Sequence, residues 1–180
     1  MGKPKISSDW LAGCAGCHMS LLDIDERIIQ VAELADLRAT PITDLKAPDE
    51  SGVDVGILEG GVNNSANEEV AHRMRSRCTL LVALGDCAVF GGVPAMRNFF
   101  TLEESLRRAY VETESTDGEG KIPDDPELAV PQRVRALSEV VPVDIFVPGC
   151  PPDADTIFYV LSELAQGRKP EITGDKLDWH

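Results

Sequence analysis

The chain has 180 residues and a mass of 19.5 kDa, the size of one ordinary domain with its own core. Lys and Arg number 17 against 31 Asp and Glu, a net charge of −14. That balance argues against nucleic acid or an anionic membrane as partner, because phosphate-binding surfaces need clustered Lys and Arg. Aromatic residues are 5% of the chain, too few for a base-stacking platform, and no apolar run approaches the ~20 residues of a membrane-spanning helix.

The N-terminus has neither an apolar signal core nor a twin-arginine pair, so the cytoplasm is the expected compartment. Residues 4–11 read as a first strand that runs into Gly13-Cys14-Ala15-Gly16-Cys17. Leu21, Ile24, Ile28, Val31 and Ala35 then recur at helical steps, with Ser20 as the expected cap. Val53–Leu58 reads as a second strand, ending at Glu59-Gly60-Gly61, and a polar helix is expected over 65–77. The unbroken apolar run Thr79–Leu84 is that of a strand covered on both faces, and it stops at Gly85-Asp86-Cys87. Helix signals return over 101–110. Residues 112–127 hold seven acids, one lysine, two prolines and two glycines, which cannot build a core and read as an acidic surface insertion. A short helix is expected over 133–139, a fourth strand over 143–147, and a last helix over 154–165 with Asp153 as its cap. Strands alternating with helices imply a mostly parallel α/β sheet with helices on both faces. The expected division is one domain over 1–167 and a tail over 168–180.

Three of the four predicted strands end in a loop bearing cysteine: Cys14 and Cys17 after the first, Cys87 after the third, Cys150 after the fourth. In a parallel sheet these loops share one edge, where ligands bind. Four thiols can thereby converge although Cys14 and Cys150 are 136 residues apart (150 minus 14). Cys78 precedes the third strand, so an extended chain puts it roughly 30 Å from that edge, as an inert core thiol. Each convergent cysteine has glycine beside it or one residue away, which lets backbone approach an inorganic core. Cys₄ ligation is what a 4Fe–4S cluster needs. A redox pair at Cys14 and Cys17 alone, giving a thiol–disulfide oxidoreductase, and a zinc-stapled interaction domain are the other readings of these residues.

Trp10-Leu11-Ala12-Gly13-Cys14-Ala15-Gly16-Cys17-His18, Leu58-Glu59-Gly60, Gly85-Asp86-Cys87 and Pro148-Gly149-Cys150-Pro151-Pro152 resemble the small subunit of nickel–iron hydrogenases, of the cytoplasmic NAD-reducing (bidirectional) type. The resemblance covers residues ~5–165. It implies a flavodoxin-like domain with one 4Fe–4S cluster at the C-terminal edge of the strands, held by Cys14, Cys17, Cys87 and Cys150. It further implies a large subunit that carries the Ni–Fe site and splits hydrogen, and diaphorase subunits with FMN and iron–sulfur clusters that reduce NAD⁺. The related cluster subunit of NADH:quinone oxidoreductase has two adjacent cysteines where this chain has Cys14-x-x-Cys17, which makes it the second choice. No catalytic residue is expected in this chain itself.

Glu59, at the end of a strand, is a candidate for proton relay or cluster tuning, or else a solvated loop carboxylate. His18 is a candidate donor to the cluster, or a helix-start residue without a role. Asp86 reads as a helix or turn cap. The apolar stretch from Phe90 to Phe100 either folds under the domain or meets the large subunit. The fold raises FMN as a further ligand, but no phosphate-cradling glycine loop is present and flavin is not expected.

Overall fold

The computed structural model describes residues 2–44 and 50–177. Five parallel strands form the central sheet: β1 (Lys5–Trp10), β2 (Asp36–Ala39), β3 (Val53–Glu59), β5 (Cys78–Leu84) and β7 (Ile145–Val147). Their order is β2-β1-β3-β5-β7. Counting only the strands of this sheet, that is the 2-1-3-4-5 order of flavodoxin-like doubly wound folds. Between them β4 (Val62–Asn64) and β6 (Pro131–Arg135) pair as a separate antiparallel ribbon. The helices are α1 (Gly16–Leu22), α2 (Ile28–Leu34), α3 (Ser65–Arg77), α4 (Asp86–Phe90), α5 (Leu102–Tyr110) and α6 (Ala154–Ala165).

Two cores follow from the two-residue period of the strands. Val55 and Ile57 of β3 and Val82 and Leu84 of β5 face α2 and α6, where Val31, Ile157, Val160, Leu161 and Leu164 are buried. Leu58, Leu81 and Ala83 face the other way, against Ala71 and Met74 of α3 and Ala88 and Val89 of α4. Covered on both faces, the central strands can be apolar without alternation. Asp153 caps α6 as expected, accepting the Thr156 N–H at 2.7 Å.

Several expectations are corrected. The helix expected from Ser20 to Ala35 starts earlier, at Gly16, and is broken by a 3₁₀ turn at Asp25–Arg27, where Asp25 has a φ of +54°. Asp tolerates that conformation, and Asp25 and Glu26 then sit where acids favour the start of the following turn. Ser20 caps nothing and instead donates to the Pro152 carbonyl at 2.6 Å, tying α1 to the Cys150 loop. The helix expected at 133–139 is β6 followed by a single 3₁₀ turn, Leu137–Glu139. Its backbone is taken up elsewhere: the Asn98 carboxamide donates to the Val134 carbonyl at 2.8 Å and accepts its N–H at 2.9 Å, as a strand neighbour would. The strand expected over 143–147 is β7, and it is shorter, beginning at Ile145, because the Asp144 carboxylate accepts the Leu81 N–H at 2.7 Å ahead of the ladder. Residues 112–127 contain no regular element, and none of them is buried.

Candidate functional site

The strand order reverses between β1 and β3, and the crevice outside their carboxyl ends is where such folds bind ligands. At that place Cys14, Cys17, Cys87 and Cys150 line one cavity of about 70 Å³, together with Glu59, Gly60, Asp86 and Pro151. A wider opening of about 510 Å³ lies outside it, lined by Cys14, Cys87 and Cys150 with Val93 and Pro94. Cys78 is not among these residues. It opens β5 opposite Val53, at the far end of the strand, and is buried in the second core. The four-plus-one division of the cysteines is therefore the geometry of the molecule. No three His, Cys, Asp or Glu side chains among the described residues close on a single ion; the thiols surround a space.

Backbone shape makes that space. Gly85 has a φ of +81°, and a Cβ there would run into the Sγ of Cys17. Gly92, at φ +48°, would bring a Cβ within 3.0 Å of the Cys87 sulfur and 2.9 Å of its Cα. Only glycine adopts these angles without strain, and only glycine leaves the sulfurs room. The Cys87 and Cys150 loops are latched to each other: Asp86 N–H donates to the Gly149 carbonyl at 2.9 Å, and Gly149 N–H donates to Asp86 Oδ1 at 2.8 Å. Asp86 is thus a tie between two cysteine loops, not a helix cap.

Two of the thiols lie where their charged form is disfavoured. Burial pushes the Cys17 thiol far up, and the Glu59 carboxylate and the charges of Cys87 and Cys14 push it further. Burial also raises Cys87; a backbone hydrogen bond from Val93 opposes this, and Cys150 and Cys14 add to it. Four sulfurs gathered around one space with a buried carboxylate, and no cationic side chain among the described residues that line it, suit a core that supplies positive charge. Such a cluster takes four thiolates and is tuned by N–H groups aimed at sulfur, as Val93 is at Cys87. The residues present fit the group.

Glu59 is not a solvated loop carboxylate, for it is 2% exposed. Its Oε2 accepts the His18 backbone N–H at 2.7 Å and lies 2.9 Å from His18 Nδ1, within ion-pair distance but without the alignment of a hydrogen bond. His18 is likewise buried, and its Nε2 is 2.9 Å from Ser8 Oγ. Ser8, His18 and Glu59 thus form a buried polar chain ending against Cys17. The tie at Asp86 and the part played by Ser8 carried no signal in the sequence, since both depend on loops far apart in the chain. The 90–100 stretch does not fold under the domain: after α4 it forms a 3₁₀ segment, Val93–Phe99, with Phe99 84% exposed and Phe90, Val93, Met96 and Phe100 also outside.

Residues 14–164 match the family described as NADH ubiquinone oxidoreductase, 20 Kd subunit, and the chain belongs to that family. Within it the likeness runs to hydrogenase subunits. The chain is 42% identical over 93% of its length to the NAD-reducing hydrogenase HoxS subunit delta of Cupriavidus necator, spanning 81% of that protein. It is 37% identical over 97% of its length to a subunit of the F420-non-reducing hydrogenase of Methanothermobacter marburgensis, spanning 58% of it. Among solved structures, a chain of an NAD⁺-reducing NiFe-hydrogenase in the H₂-reduced state superimposes with a TM-score of 0.93 at 38% identity, over 99% of this chain and 100% of that one. A NiFeSe hydrogenase chain from Desulfomicrobium baculatum shares the fold, with a TM-score of 0.59 at 17% identity, over 97% of this chain and 68% of that one. No helix among the described residues is long and apolar enough to cross a membrane.

Proposed function

We propose that this chain is the electron-transfer small subunit of a cytoplasmic NAD-reducing nickel–iron hydrogenase. Residues 1–167 hold one 4Fe–4S cluster through Cys14, Cys17, Cys87 and Cys150. The observation that carries the reading is the single cavity lined by these four cysteines, from three loops of the sheet, at the switch point of the fold. When bound, the cluster accepts and gives up one electron at a time. The protein's part is to position it and set its potential. Hydrogen is split at a Ni–Fe site on a large subunit, and the electrons leave for diaphorase subunits with FMN and iron–sulfur clusters that reduce NAD⁺. Glu59 and His18 hold the Cys17 side of the site in place through the His18 amide and the buried pair. A thiol–disulfide oxidoreductase built on Cys14 and Cys17 would have no use for Cys87 and Cys150 in the same cavity.

The test is metal and sulfide analysis of the chain purified anaerobically, with a reduced-state EPR spectrum. About four irons and four sulfides with a spin-half signal are expected. Zinc, or a metal-free chain with a reversible Cys14–Cys17 disulfide that cannot be reconstituted with iron and sulfide, overturns the reading.

A further inference from the structure

The cysteine edge has two apolar flanks, and they leave it on opposite faces of the sheet. One is the 90–100 segment. It follows α4, which buries Ala88 and Val89 in the core on the α3 side, and it opens beside Cys14, Cys87 and Cys150. The other lies on the α2–α6 side. Trp10 continues the alternation of Ile6 and Ser8 along β1, on the face where Ile6 joins the core with Val31 and Ile157. Pairing with β2 ends at Ser7 and Ala39, so no described strand covers β1 beyond that point on this flank, and Trp10 is 42% exposed. Its ring meets the His18 ring edge-on, with centroids 5.8 Å apart at 75°. His18 is covalently next to Cys17. The indole is therefore the surface end of a short run from Cys17 through His18.

The two flanks differ in character. The 90–100 flank exposes five large apolar side chains in eleven residues, the composition of a permanent interface. On the same side of the sheet as Trp10, α1 packs Leu21 on the core that holds Ile6, Leu22 shares a cavity lining with His18, and Met19 and Leu22 are exposed one helical step apart, with the exposed carboxylates Asp23, Asp25 and Glu26 next in the chain. Arg27, which follows them, is engaged with Asp155 at 2.6 Å and lies over the Phe158 ring. A small apolar centre with a charged rim is the pattern of electron-transfer contacts, where complementary charge steers encounter. A relay with one centre must also hold donor and acceptor close at once, and tunnelling falls steeply with distance, so the two cannot share one flank.

We infer that the Trp10, Met19 and Leu22 flank, with its acidic rim, is the docking face for the redox protein that takes electrons from this chain, a partner with a basic rim around its own centre. The 90–100 flank is left to the hydrogen-splitting subunit. This rests on the function proposed above. One electron enters from H₂ oxidation at the Ni–Fe site and one leaves to the partner's flavin or cluster, so each H₂ sends two electrons across this face in sequence and leaves two protons behind.

The test uses the whole complex with H₂ as donor, comparing reduction of NAD⁺, which needs the partner, with reduction of benzyl viologen, which does not. Met19→Glu with Leu22→Glu is expected to cut NAD⁺ reduction at least tenfold and leave viologen reduction, the EPR signal and the bound nickel subunit unchanged. Reversal of the rim by Asp23→Lys and Glu26→Lys is expected to act in the same direction and to weaken the salt dependence. Phe99→Glu is expected instead to release the nickel subunit. Unchanged NAD⁺ reduction in both Trp10-flank variants, or loss of the nickel subunit from them, overturns the assignment. A wild-type complex whose small subunit holds no iron overturns the reading beneath it, and the proposal with it.

Discussion

Gly85 is the residue at which backbone and chemistry are least separable. A methyl group there must both hold a positive φ with an extended ψ, a conformation kept almost wholly to glycine and costing roughly 1–3 kcal/mol, and occupy the space of the Cys17 sulfur. Gly85→Ala is therefore expected to lose the proposed cluster while the chain still folds, checked by iron content beside circular dichroism. The cysteines divide in the same assay. Serine at Cys14, Cys17, Cys87 or Cys150 is expected to abolish cluster binding. Cys78→Ser is expected to keep the iron and lose about 1–3 kcal/mol of stability, because a hydroxyl replaces a thiol in an apolar core. Iron retained in Cys87→Ser and lost in Cys78→Ser would reverse the reading. The convergence of these thiols was legible in the sequence because the strand–loop alternation alone puts such loops on one edge. The pairing of His18 with Glu59 was not, although both residues stood out singly. It depends on the register that sets Trp10 opposite Glu59, and register is a property of two strands together.

At the scale of elements, those with strong local patterns were legible: β3, β5, α3 and α6 lie where period and caps put them. The ones missed, β2, β4 and β6, are three to five residues long, and β2 and β6 are rich in charge. β4 and β6 exist through pairing between segments some seventy residues apart, which leaves no periodicity to read. The cap of α6 is testable by itself: Asp153→Ala removes the acceptor for Thr156 N–H and is expected to cost about 1 kcal/mol in denaturant unfolding. The junction of α3, β5 and β7 supplies a pH signature. Partial burial works to raise the Asp144 carboxyl, but the Leu81 N–H and the Arg75 guanidinium outweigh it and hold the group below its ordinary 3.8. A carboxyl with a lowered folded value favours the native state above its unfolded pKa and loses that contribution as pH falls through the folded one. The stability difference between wild type and Asp144→Asn is thus expected to be full at pH 7 and to shrink below about pH 4. A difference that stays constant down to pH 2 would remove the carboxylate from this account.

For the whole molecule, strong negative charge and one large apolar flank act against each other. At low salt the net charge of −14 keeps separate copies apart. As ionic strength rises the repulsion is screened, while the exposed side chains of the 90–100 segment remain. The isolated chain is therefore expected to self-associate with added salt, seen by light scattering, and Phe99→Asp to suppress it. Association that weakens with salt would place its origin in charge pairs instead.

The latch between Asp86 and Gly149 bears on timing. It is made of protein groups, and with Glu59 gripping the His18 amide it ties the cysteine loops to one another and to the end of β3. In structural zinc fingers the metal is itself the folding energy, so an empty chain has no shape to mistake for a full one. Here the chain itself supplies part of what holds the cysteine loops together, so insertion of an inorganic core would complete a site rather than create one.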